Sequence, residues 1–91
     1  METVWRKHFM ALRDDERINV WHLALFISLV CLWEIGGCAN PFPITRREVM
    51  KLSHIGSLPT YHKYMKELVE FGYIQYKPSY HPVLGSLVWV K

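Results

Sequence analysis

The side chains best suited to chemistry in this sequence are five histidines (His8, His22, His54, His62, His81), two cysteines (Cys31, Cys38) and the stretch TYHKYMKEL, Thr60 to Leu68. That stretch packs two tyrosines, one histidine and two lysines into nine residues. Such a mixture can line a catalytic pocket, ligate a metal, face water or meet a phosphate backbone. Catalysis requires polar groups that converge on one point. The histidines are instead spread over separate segments, and no H-E-x-x-H, G-x-S-x-G or Walker loop occurs. Neither cysteine belongs to a C-x-x-C pair or has a histidine at a recognisable spacing. His54 and His62 can come close in space, but they bring no further ligand, and a structural zinc needs four. The expectation is therefore no catalytic residue, no metal, no cofactor and no small-molecule ligand.

Composition narrows the alternatives. The 91 residues suffice for one modest core, and 51% apolar with 21% charged residues is the balance of a folded chain. The net charge of +3 is unevenly placed: four basic and five acidic residues precede Ile35, and seven basic and three acidic follow it. A basic C-terminal part points to an anionic partner. The run VWHLALFISLVCLW, Val20 to Trp33, is almost wholly apolar, yet at about fourteen residues it falls short of the roughly twenty that a spanning helix needs. The preceding METVWRKHFMALRDDER is too long and too acidic at its end for a secretory leader. A buried helix, no membrane contact, a cytoplasmic location and two reduced thiols, with Cys31 buried, are expected.

The elements that must position these residues follow from periodicity and punctuation. Val4, Trp5, Phe9 and Leu12 recur at helical spacing in a first short helix, which DDER ends. Asn19 is a plausible N-cap for a long apolar helix from Val20 to about Glu34, stopped by Gly36 and Gly37. NPFPIT is an extended connector, because Pro41 and Pro43 forbid helix. TRRE, Thr45 to Glu48, is a capping box that opens a short helix with Val49 and Leu52 facing in. SHIGS is a turn. Ser57 caps the next helix, Pro59 is tolerated in its first turn and Gly72 ends it. Tyr61, Met65, Leu68 and Val69 form that helix's inner stripe. YIQYK and SLVWVK, separated by PSYHPVLG, make a β-hairpin.

Two short helices joined by a tight turn and followed by a hairpin have the order of a winged helix-turn-helix. The segment TRREVMKLSHIGSLPTYHKYMKELVEFGYI resembles the winged-helix transcription regulators: Glu48, then Ser57, Thr60 and Lys63, then Lys66, Leu68, Gly72 and Ile74 match that superfamily's pattern. HLALF, NPFPITRREVMKLSHIGSLPTYHKYMKEL and YKPSYHPVLGS look like a group of small bacterial winged-helix proteins often carried on mobile elements. The resemblance covers roughly 19–91 and implies a mainly α fold with a C-terminal β-hairpin, in which 19–35 is the long apolar helix, 45–72 the helix-turn-helix and 73–91 the wing. The length of the chain makes 1–91 one domain, with 1–18 a helical N-terminal extension outside the resemblance.

It further implies binding to double-stranded DNA, most simply as a transcriptional regulator that occupies a site. The alternatives are an architectural or replication-control factor and a protein–protein adaptor. Ser57, Thr60, His62, Lys63 and Lys66 would be offered to DNA from the recognition helix. Arg46 and Arg47 would clamp a flanking phosphate, and Lys77, Tyr80 and His81 would act from the wing. A helix apolar on nearly every side, and a last strand with large apolar groups on both faces, suggest a homodimer through Trp21, Leu25, Leu29 and Trp33.

Overall fold

The computed structural model describes residues 4–79 and 85–91. Four helices and a three-stranded antiparallel sheet run in the order α1 (Val4–Arg13), α2 (Val20–Ile35), β1 (Phe42–Ile44), α3 (Arg46–Ser53), α4 (Leu58–Glu70), β2 (Ile74–Lys77) and β3 (Ser86–Val90). No helix among the described residues is long and apolar enough to cross a membrane.

The N-caps expected at Asn19, Thr45 and Ser57 form, but the reciprocal box expected at Thr45–Glu48 does not close, since the Glu48 carboxylate makes no bond back to the Thr45 amide. The Asn19 side chain accepts from the backbone amides of Trp21 and His22, and the amide of Asn19 donates to His22 Nδ1 at 3.0 Å, so the cap is reciprocal. Thr45 Oγ1 accepts from the Glu48 amide at 3.2 Å, and Ser57 Oγ from the Thr60 amide at 3.5 Å. At the end of α4, Gly72 takes φ +87°, and the amides of Gly72 and Tyr73 return to the carbonyls of Val69 and Leu68. A left-handed residue there satisfies two otherwise open carbonyls, and glycine adopts that conformation without a Cβ clash. In the turn between α3 and α4 it is His54, at φ 60°, that takes this conformation.

α2 is the centre of the fold. It packs against α3, α4 and β1. Leu25 and Leu29 are fully covered, as are Phe26, Val30 and Trp33 nearly so. Its buried His22 reaches α4: with Nδ1 accepting from Asn19, the ring proton sits on Nε2, which donates to Glu67 Oε1 at 2.7 Å. The same ring meets Tyr64 edge-on at 4.7 Å, and Asn19 Nδ2 donates to the Tyr64 hydroxyl at 3.4 Å. Arg17 lies 4.1 Å over the ring of Phe71, which follows α4 and meets the His22 ring at 5.7 Å. The junction between α1 and α2 is closed by Asp15, which accepts from Arg17 and from the Tyr73 hydroxyl at 2.7 Å each.

Several expectations need correction. The connector holding Pro43 is a strand: β1 pairs with β3 in the register Phe42↔Val88 and Ile44↔Ser86, and β2 pairs on the other side with Ile74↔Val90 and Tyr76↔Val88. Proline is tolerated because β1 is an edge strand. β3 is therefore central, not an edge. Val88 and Val90 join Phe42, Ile44 and Ile74 in the core, while Leu87 and Trp89 are half-buried on the outer face. Asn40 extends the β1–β3 ladder, its side-chain amide donating to the Val90 carbonyl and accepting from the Val90 amide, both at 3.1 Å. Leu52 is exposed, because the short α3 turns only Val49 and Ser53 fully inward. Val69, expected in the inner stripe of α4, is also exposed, and Tyr64 is buried in that stripe instead. Cys31 is exposed on the outward side of α2. Gly85 is required by packing: at φ +69° it lies so close to β1 that a Cβ would run into the Ile44 carbonyl.

Two stability outcomes follow. Asn19→Ala removes a reciprocal cap and the contact to Tyr64, and is expected to cost about 1–2 kcal/mol in denaturant unfolding. Hydrogen bonds from Arg17 first, and then Tyr73, hold the Asp15 carboxyl well below its usual range. A carboxyl lowered in the folded state stabilises fully above its unfolded value near pH ~3.9, and that contribution fades as pH falls further. Asp15→Asn should thus be less stable than the unaltered chain at pH 7, with the gap narrowing steadily below pH ~4 in acid titrations.

Candidate nucleic-acid interface

The N-terminus of α3, one side of α4 and the β2–β3 hairpin enclose a groove of about 660 Å³. Arg46 and Arg47 lie on its α3 wall, His62 and Tyr61 on its α4 wall, and Tyr76, Pro78 and Ser86 on its hairpin wall. Among the described residues, no aspartate or glutamate lines it. Arg46, Arg47 and His62 are exposed. Neither arginine makes a hydrogen bond or ion pair with any described residue, whereas Arg13 and Arg17 at the far end of the chain are both tied to aspartates. Cations at the positive end of a helix are unfavourable by a few tenths of a kcal/mol. Arg46 and Arg47 sit there with no ion pair to a described residue, beside a single first-turn carboxylate, Glu48, so much of the basic character of this edge is uncompensated in the free chain.

A second, smaller cavity of about 220 Å³ lies on the other side of α4, at its N-terminal end. Ser57, Thr60 and Lys63 line it together with Trp21 and Tyr64. The Lys63 ammonium stands 5.3 Å over the Tyr64 ring, which also stacks on Trp21 at 6.4 Å. The residues expected to act together from α4 are thus divided: His62 joins the arginines in the larger groove, and Ser57, Thr60 and Lys63 flank the smaller cavity. Lys66 lies a turn further along, 79% exposed and 4.0 Å from Glu70, a loose surface pair that leaves it free to act. Lys77 is exposed at the hairpin end of β2. The expectations for Tyr80 and His81 lie outside the described residues.

The residues expected to form a dimer face do not share a surface. Leu25 and Leu29 are fully buried within the chain and Trp33 nearly so, because α3, α4 and β1 cover that side of α2. Trp21 alone is exposed, and it belongs to the cavity beside Ser57 and Lys63. The outward side of α2 instead shows Val20, Ile27, Cys31 and Ile35.

Tyr61 escaped the sequence reading as a site residue. Its ring is core, 1% exposed, but its hydroxyl is buried with no hydrogen-bond partner. Such an orphan costs a fold about 1–3 kcal/mol. Burial, and then the neighbouring Tyr76, push its ionisation well above the usual phenol range, against the pull of Arg46, so it is an O–H donor. The inner-stripe position of Tyr61 was legible in the spacing; the empty partner position was not, since it depends on β1 and the hairpin closing over it. Among the described residues, no three His, Cys, Asp or Glu side chains are grouped as a metal site.

No family model, curated protein or solved structure matches this chain.

Arg46→Glu is expected to leave the fold intact and to raise stability by about 0.3–1 kcal/mol, because it replaces a cation with an anion at a helix N-terminus. Chemical denaturation checks this, and a net loss would mean that Arg46 serves the fold instead of a ligand.

Proposed function

We propose that the chain binds double-stranded DNA as a winged helix-turn-helix, with α4 as the recognition helix and the β2–β3 hairpin as the wing. The observation that carries this reading is the groove holding two unpaired arginines and a histidine with no acidic side chain among the described residues on its walls. On DNA, the N-terminal end of α4 enters the major groove with Thr60 and Lys63 toward base edges and Ser57 near the backbone. Arg46 and Arg47 take one flanking phosphate, and Lys66 and Lys77 take others. His62 lies between these two sets and can serve either a base edge or a phosphate. A transcriptional regulator that acts by occupying its site is the simplest role, and an architectural or replication-control factor would use the same surface. A protein–protein adaptor would need none of these cations.

Self-association belongs to the same proposal, on a different strip from the one expected. A largely apolar groove of about 540 Å³ runs between α1 and α2, with Ile27 and Cys31 in it and Arg6 and Glu34 among its lining residues. In a two-fold pair, Arg6 of one copy can face Glu34 of the other across that apolar strip. Sedimentation of the unaltered chain and of Ile27→Glu checks this: the dimer is expected to dissociate on substitution, and a monomer at high micromolar concentration would remove it.

Duplex affinity measured at several salt concentrations tests the DNA reading. Binding should weaken steeply with salt as counterions are released. Lys63→Ala should weaken it by about 1–3 kcal/mol if this side chain meets a base. No binding to any duplex at ~50 mM salt and ~100 μM protein would favour the adaptor.

A further inference from the structure

The groove beside α3 contains a feature that general basicity does not account for. Thr45 fills the cap of α3: its hydroxyl takes the Glu48 amide and its carbonyl takes the Val49 amide. The amides of Arg46 and Arg47 are left open at the positive end of the helix, as the first turn of any helix leaves them. Opposite that end stands Tyr61, 1% exposed, with its hydroxyl unpartnered. The nearby Tyr76 hydroxyl is already engaged, donating to Ser86 Oγ at 3.3 Å. Ser86 Oγ also accepts from the Ser79 amide at 3.2 Å. The hairpin base is thus internally satisfied, and the donor in front of it is not.

We propose that the floor of this groove is a phosphate site in which the Tyr61 hydroxyl donates to one phosphate oxygen while Arg46 and the open amides of α3 hold the others. The phosphate is that of a DNA backbone, and in this respect the inference rests on the proposed function. The Arg46 guanidinium and the backbone amides can only donate, and the Tyr61 hydroxyl brings a free proton to the same place, a set that favours an oxyanion over a cation. Arg46 makes no hydrogen bond or ion pair with a described residue, so its side chain can turn toward a phosphate that enters the groove beside Tyr61. The buried oxygen is not a defect of packing on this view. It is a donor held dry for a ligand, and its desolvation is already met in the free fold. Tyr61 also anchors α4 to the core, so a phosphate bonded to it is fixed relative to the recognition helix, setting the register of α4 along the duplex.

The test compares the unaltered chain, Tyr61→Phe, Arg46→Gln and Lys63→Ala, with a DNA duplex and with inorganic phosphate as probes. Tyr61→Phe removes only an unpartnered oxygen, so its melting temperature without ligand should equal or exceed that of the unaltered chain. Its duplex affinity should nevertheless fall about ten- to a hundredfold, the worth of one hydrogen bond to a charged acceptor. Inorganic phosphate should raise the melting temperature of the unaltered chain and of Lys63→Ala, but not of Tyr61→Phe or Arg46→Gln. If Tyr61→Phe binds duplex and responds to phosphate as the unaltered chain does, the site is wrong, while a loss in Lys63→Ala alone would keep the DNA reading. If no duplex binds but the phosphate response still depends on Tyr61 and Arg46, the DNA reading fails and the site serves a free phosphate or a small phosphorylated ligand. Absence of both responses overturns both. Should Tyr61→Phe fail to fold, Arg46→Gln decides by the same phosphate response.

Discussion

The geometry of this protein depends on one buried link, from Asn19 through His22 to Glu67. Asn19 ends the chain's approach to α2 and caps the helix, and the imidazole it orients crosses to the last turn of α4. A buried polar group is stable only when its hydrogen bonds are met. His22 meets both of its own, one to each helix, so the two helices can slide or rotate against each other only by leaving a ring nitrogen unpaired. Tyr64 reinforces the link by taking a bond from Asn19 and packing on the His22 ring. Because α4 is fixed in this way, the side chains on its other faces have defined directions. His62 then falls toward α3 and the hairpin, and Lys63 toward Trp21.

Charge is sorted along the same lines. The acidic side chains of the described chain are largely committed to structure: Asp14 and Asp15 to arginines, Glu67 to His22, and Glu70 to Lys66. These pairs lie at the α1–α2 junction and along the last turns of α4. At the N-terminal ends of α3 and α4 the cations Arg46, Arg47 and Lys63 make no ion pair with a described residue, and Glu48 is the one acidic side chain in the first turn of either helix. A nearly balanced chain thus presents a one-sided field, which a net charge of +3 by itself does not reveal. The field is strongest in effect where backbone amides also point outward, at the two helix starts.

Much of this is legible in the sequence. Helix starts at Asn19, Thr45 and Ser57, and the stop at Gly72, are local chemistry: a short oxygen-bearing side chain competes for the first amides, and glycine takes the left-handed turn. The inner stripe Tyr61, Met65 and Leu68 followed from helical spacing. β1 was not legible, because two prolines in NPFPIT argue against helix without arguing for a strand. Its pairing comes wholly from β3, some forty residues later in the chain. The dimer face failed for a related reason. Hydrophobicity on all sides of α2 tells nothing about which side the domain itself covers, and α3, α4 and β1 covered the side that had been set aside for a partner.

The residues of this sequence determined by themselves where helices begin and end, which stripe of α4 is apolar and where the basic side chains lie, since each of these depends on neighbours within a turn or two. Only the tertiary structure decided that His22 is a buried tie and not a surface polar group. It alone divided Ser57, Thr60 and Lys63 from His62, Arg46 and Arg47, and left the Tyr61 hydroxyl dry and unpartnered at the foot of a basic groove. Those outcomes turn on which segments, far apart in the chain, come to cover one another. Burial and hydrogen-bond satisfaction are properties of that arrangement, and no local pattern encodes them.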